Sequence, residues 1–229
     1  MKPAKLLLIV PVALVAVGPS HSRDARHIPK PEPLDVDMFY QYSATDDDAE
    51  VTIDIESADN PIDFLVIVAP NGRTVASVQS KDRIGLAEVE IESAEPSVEQ
   101  VQEAYPQGKY SLLGRSVNGR PLLARVDMTH AVVGAPDFFN ASPCNEEDVD
   151  PASAVTIAWN SVEGAAGGYE IIIEQDDTGA NMRTTQSPAA TSFVIPSGFL
   201  EAGLEYEIEM KAVTAGGNKT SASCEFSTQ

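Results

Sequence analysis

Apolar residues recur at every second position along most of this chain. Val51, Ile53 and Ile55 alternate with Thr52, Asp54 and Glu56, the pattern of a strand with one face in a core and one in water. Val89 and Ile91 alternate with Glu88, Glu90 and Glu92 in the same way, within a strand expected over Leu86–Ile91. Another strand is expected over Thr74–Val78. Phe64–Ala69 breaks the alternation with a continuous apolar run closed by Pro70-Asn71-Gly72. Such a run predicts a strand covered on both faces. Gly108–Leu113 and Leu122–Met128 flank the turn dipeptide Asn118-Gly119 and predict a hairpin. Ser97–Tyr105 is the one helical candidate, with Ser97 as cap and Val98, Val101 and Ala104 on one face.

The second half alternates more cleanly. Val155, Ile157 and Trp159 form one series, Tyr169, Ile171 and Ile173 a second, and Tyr206, Ile208, Met210 and Ala212 a third. Glycine-rich and Asp-rich turns separate them. About seven short strands in some ninety residues is the pattern of an immunoglobulin-like sandwich. The expected fold is therefore all-β, two β-sandwich domains, over 34–135 and 136–229.

The amino terminus differs. Lys2 and Lys5 precede the apolar stretch Leu6–Val17, and Ser20 and Ser22 offer a small-x-small cleavage site. That arrangement predicts a signal peptide over 1–22. The apolar run falls short of the roughly 20 residues of a membrane span. Residues 23–33 carry three prolines and read as an extended leader. A secreted or periplasmic location, without stable membrane insertion after cleavage, is expected.

From about Asp137 to Gln229 the chain resembles a fibronectin type III domain. The resemblance rests on Trp159, on Tyr169 within Gly168–Glu174, and on Leu200-Glu-Ala-Gly-Leu-Glu-Tyr206, similar to the family's L-x-P-x-T-x-Y corner. Ala202 stands for that proline and Leu204 for that threonine. Ala212–Asn218 resembles the family's sixth-strand end and turn. The resemblance implies that Trp159 and Tyr169 are structural core and that the Tyr206 hydroxyl bonds backbone at the corner. The first half's ending, Ala104–Gly119 and the strand after it, resembles an arrangement in exported bacterial proteins and implies no activity.

Charge removes some functions. The chain holds 15 Lys and Arg against 35 Asp and Glu, a net of −20. A body so acidic repels phosphates and is not expected to bind nucleic acid. From Asp137 onward the bases are only Arg183, Lys211 and Lys219. Many acids alternate with core residues and decorate strands. The two cysteines, Cys144 and Cys224, lie near the two ends of the second half. In an exported chain they predict a disulfide closing a loop of about 80 residues, worth roughly 4–5 kcal/mol by loop entropy.

Candidate chemistry is sparse. Asp46, Asp47, Asp48 and Glu50 are calcium candidates, oxygen-rich but without the spacing of a calcium loop. Glu146-Glu147-Asp148 with Asp150, and Asp176-Asp177, are lesser acidic clusters. His130 lacks a recognisable nucleophile and reads as a strand-end residue. No catalytic motif occurs, no cofactor is expected, and the chain is expected not to be an enzyme. Phe39, Tyr40, Tyr42, Tyr105 and Tyr110 are candidates for stacking on sugars, with core packing as their ordinary role. Phe138-Phe139 are expected to pack the two domains together. Asn140-Ala-Ser142 and Asn218-Lys-Thr220 have glycosylation spacing. The expected function is a structural or interaction protein whose partner is an extracytoplasmic protein or polysaccharide. Carbohydrate binding through the first-half aromatics is the alternative, and an extracellular hydrolase or its accessory the third reading.

Overall fold

The computed structural model describes residues 30–57, 59–138, 143, 144, 146 and 148–229. The expected signal peptide, most of the leader, Phe139, Asn140 and Glu147 lie outside the described residues. No helix among the described residues is long and apolar enough to cross a membrane.

The elements, in chain order, are β1 Glu32–Pro33, β2 Asp35–Ser43, β3 Asp48–Glu56, β4 Ile62–Val68, β5 Thr74–Gln79 and β6 Glu88–Glu92. There follow α1 Val98–Ala104, β7 Gly108–Ser116, β8 Pro121–Met128, β9 Val155–Ala158, β10 Gly168–Gln175 and β11 Ala180–Gln186. The last are β12 Ser192–Ile195, β13 Glu205–Val213 and β14 Lys219–Ser227. The fold is all-β and immunoglobulin-like.

Both halves are wired alike. In the first, β3 pairs with β6, while β5, β4, β7 and β8 form a run of neighbours. In the second, β9 pairs with β12, while β11, β10, β13 and β14 form the matching run. Each half thus faces a small sheet against a four-stranded one, the sandwich arrangement. Alternation in the sequence largely becomes inside and outside: Val51, Ile53 and Ile55 are buried, as are Ile171, Ile173, Tyr206, Ile208 and Met210, while Thr52 and Ile172, on the opposite faces, are buried too.

Each half has its own apolar core. The first gathers Leu34, Met38, Tyr40, Ile53, Leu65, Ile67, Tyr110 and Leu112. The second gathers Phe138, Trp159, Tyr169, Ile173, Ile195, Tyr206 and Phe226. Phe138 thus lies inside the second core and not between the halves. Trp159 meets Tyr169 edge-on, with centroids 5.3 Å apart. Its indole N–H is the one buried side-chain nitrogen without a hydrogen-bond partner among the described residues.

The halves share a sheet. β14 pairs in parallel with β2 over Lys219–Gln41, Thr220–Tyr42 and Ser221–Ser43. The result is one seven-stranded sheet, β11-β10-β13-β14-β2-β3-β6, running through both. β2 is therefore interior, which explains why it carries Tyr40 on one face and half-buried Phe39 on the other.

Candidate interaction surface

Two surfaces concentrate features that the cores do not explain: the outer face of the five-stranded sheet, and the junction.

The five-stranded sheet runs β1-β8-β7-β4-β5. The Phe64–Ala69 run predicts cover on both faces. The structure covers only one, because the first half's small sheet lies on a single side. Leu65 and Ile67 point into the core, whereas Phe64 is 38% exposed and Val66 and Val68 are half-buried. The register extends this apolar face across the strands. Val66 sits opposite Leu113, Leu113 opposite Leu123, and Leu123 opposite Pro33. Leu113 is 44% exposed. Consecutive apolar pairs, Leu112-Leu113 on β7 and Leu122-Leu123 on β8, place one leucine inside and one outside on each strand. Those doublets were the available sequence signal for this face. At the sheet edge, β5 (Thr-Val-Ala-Ser-Val-Gln) carries no charge and, among the described residues, has no strand on its outer side. Natural edges are commonly blunted by charge, and this one is not.

The junction is polar. The Asn218 side chain is buried and its hydrogen-bonding capacity is used across the junction. Its oxygen accepts from the Tyr40 N–H at 3.0 Å. Its amide donates to the Thr129 carbonyl at 2.9 Å and to the Ala131 carbonyl at 2.9 Å. A side chain held this way is closed to glycosylation in the folded protein, despite its sequence spacing. Thr220 donates to the Val133 carbonyl at 2.6 Å. Two of the second half's three cations also serve here. Lys211 donates to the Gln41 side-chain oxygen at 3.0 Å, and the Lys219 ammonium lies 4.4 Å from the Phe39 ring centroid.

Beside Lys211 lies a cleft of about 270 Å³ shared by both halves. Asp46, Asp48, Glu50 and Glu95 line it from the first half, and Glu207 and Glu209 from the second. Desolvation raises the pKa of Asp48, Glu95 and Glu207 above the usual carboxylate range, and neighbouring carboxylates add to it. Asp47 stands apart, in the left-handed region at φ 58°, and accepts from the Tyr42 hydroxyl. No three His, Cys, Asp or Glu side chains among the described residues are arranged to hold a metal ion. Asp176 and Asp177 line a separate surface depression, and Asp150 accepts hydrogen bonds from Ala152 and Ser153.

The other sequence candidates resolve as structure. Tyr40 is 2% exposed and Tyr110 0%. Phe39, Tyr42 and Tyr105 are half-buried, so the five rings form no open platform. Burial pushes the Tyr110 phenol up to about 12, and its hydroxyl donates to the Pro106 carbonyl at 2.9 Å. His130 places Nε2 2.8 Å from the Tyr105 carbonyl and its ring 5.0 Å from that of Tyr40. Cys144 and Cys224 form the expected disulfide. Tyr206 accepts from the Glu201 N–H at 2.8 Å, the corner bond that the fibronectin type III resemblance implies. Leu204 removes that family's corner hydroxyl, and Thr228 restores one. Its hydroxyl accepts from the Leu204 N–H at 3.0 Å and donates to the Glu201 carbonyl at 2.6 Å.

No family model matches the chain, and no curated protein matches it. Among solved structures, a two-domain fibronectin type III segment of chicken tenascin aligns at 12% identity and TM-score 0.32, over 78% of this chain and 92% of that one. The FN1–FN3 domains of chicken contactin align at 13% identity and TM-score 0.35, over 87% of this chain and 65% of that one. Strand wiring, the Tyr206 corner and buried Trp159 together describe a fibronectin type III-like fold.

Proposed function

We propose that this protein is an exported, non-catalytic interaction module that binds another protein through the outer face of its five-stranded sheet. The observation that carries the reading is the cross-strand row Val66–Leu113–Leu123–Pro33 with Phe64 beside it, apolar throughout, with Leu113 and Phe64 exposed and Val66 and Leu123 half-buried. Apolar side chains set in register across adjacent strands lose solvation free energy unless something covers them. A protein surface fits this face better than a polysaccharide does, because sugar stacking needs open aromatic rings and those of Tyr40 and Tyr110 are buried. The disulfide suits an oxidising compartment.

The test is capture from the native extracytoplasmic fraction, with the unaltered protein and Leu113→Asp compared side by side. Leu113 is 44% exposed, so the variant gives up little packing. A protein held by the unaltered chain and released by Leu113→Asp supports the reading. Equal capture by both contradicts it.

A further inference from the structure

The ladder between β4 and β5 decides which backbone groups face the open side of β5. The Ser80 N–H donates to the Asp63 carbonyl at 2.9 Å, and the Ala69 N–H to the Arg73 carbonyl at 2.8 Å. Residues along an antiparallel strand alternate between bonding one neighbour and turning away from it. Ala76 and Val78, opposite Ile67 and Leu65, therefore bond β4, and Ser77 and Gln79 turn their N–H and C=O groups outward. No strand pairs with that side among the described residues. The Ser77 and Gln79 side chains are exposed and uncharged.

Cations stand at both ends of this edge, in a chain whose acids outnumber its bases 35 to 15. Arg73 precedes β5, Lys81 and Arg83 follow it, and Asp82 is the one acid in 73–83. Elsewhere around the sheet, Lys109, Arg115 and Arg120 are neutralised by Asp127, Asp63 and Glu32. Arg73, Lys81 and Arg83 are in no ion pair among the described residues. The Arg73 guanidinium is nevertheless held, donating to the Ala104 carbonyl at 2.6 Å.

The loop after β5 is fixed as well. The Asp82 carboxylate accepts from the Ser80 hydroxyl at 3.1 Å and from the Ile84 and Gly85 N–H groups at 2.8 and 2.9 Å. Gly85 is left-handed at φ 81°, and a Cβ there would meet the Val117 and Pro61 side chains within 3 Å. A loop tied and seated in this way holds Ile84 out, 78% exposed.

We propose that the β5 edge docks an extended segment of a partner protein, uncharged along its middle and acidic at its ends, which adds to the five-stranded sheet as a further strand. Its backbone bonds Ser77 and Gln79, its terminal carboxylates meet Arg73 at one end and Lys81 and Arg83 at the other, and an apolar side chain covers Ile84. A second copy of β5 does not fit, because antiparallel self-pairing about Ser77 brings Arg73 and Lys81 together, cation against cation. This contact uses the edge of the sheet and not its outer face, so either can fail alone.

A displayed library of random segments of about ten residues, selected against the full chain, tests this. Selected segments are expected to carry acids on both sides of a β-branched or small uncharged stretch. When bound, they are expected to raise the hydrogen-exchange protection of Ser77 and Gln79 about tenfold or more. Ser77→Pro removes an outward N–H and leaves the β4 ladder intact, and is expected to weaken binding about tenfold or more. Lys81→Glu with Arg83→Glu, both exposed, is expected to weaken it about tenfold at low salt. Leu113→Asp is expected to bind the selected segments unchanged. A selection that yields no binders, or segments without acidic ends, overturns the proposal. So do segments that bind Ser77→Pro as tightly as the unaltered chain, and segments lost by Leu113→Asp alone place the contact on the outer face instead. Exchange at Ser77 and Gln79 in the unaltered chain decides the matter even if Ser77→Pro folds poorly.

Discussion

The two halves solve one wiring problem in different ways. The first holds its leading strand with a complete ladder, β2 against β3, registered from Asp35–Glu56 to Ser43–Asp48. The second has no such ladder among the described residues. Its leading segment meets the end of β14 and the residues after it through the Val149–Thr228 bridge, the Ser227 N–H donating to the Glu146 carbonyl, and the disulfide between Cys144 and Cys224. Part of the β14 edge is occupied by β2 of the first half. Where backbone pairing is given to the neighbouring half, a covalent link holds the segment instead. The corners differ too. The first half reaches its tyrosine corner through α1, with Tyr110 donating to Pro106, whereas the second places Tyr206 as acceptor and adds the Thr228 hydroxyl.

The largest expected effect breaks the covalent side of that comparison. Replacing Cys144 and Cys224 with serine costs up to roughly 4–5 kcal/mol by the loop-entropy account. Hydrogen exchange then rises first at Val149, Ser227 and Gln229, whose amides hold the leading segment, while Ile53 and Ile55 keep their protection. A uniform rise throughout both halves would mean that the disulfide is not local to that segment. The corners give a smaller effect. Tyr110→Phe and Thr228→Val each cost about 1 kcal/mol in denaturant unfolding, since each removes buried hydrogen bonds. The smallest is Leu113→Asp, which changes stability by less than about 0.5 kcal/mol because the side chain is exposed, while abolishing partner capture.

Much of the sandwich is legible along the chain because alternation is a direct record of which face meets a core. The helix was legible for the same reason: Val101 is its buried residue and Ser97 begins it. Trp159, Tyr206 and the cysteine pair were legible because each has few other uses in such a fold. The outer face of β4 was not. A continuous apolar run reads identically whether both faces are covered or one awaits a partner, and only the sheet order distinguishes them. The junction was hidden for a different reason. Asn218 looks like a turn residue or a glycosylation acceptor, and its partners Tyr40, Thr129 and Ala131 are far away in sequence. Thr228 escaped notice because it supplies, from just beyond β14, a hydroxyl that the resemblance places at the position of Leu204.

The shared sheet joins the two halves, and Asn218 fastens that joint. Scanning calorimetry of the intact chain and of Asn218→Ala tests this directly. The unaltered chain is predicted to unfold in one transition whose calorimetric and van't Hoff enthalpies agree. The variant strands the Thr129 and Ala131 carbonyls and the Tyr40 N–H, costs about 3 kcal/mol, and separates unfolding into two transitions. Two transitions in the unaltered chain, left in place by Asn218→Ala, would contradict the claim that the halves act as one unit.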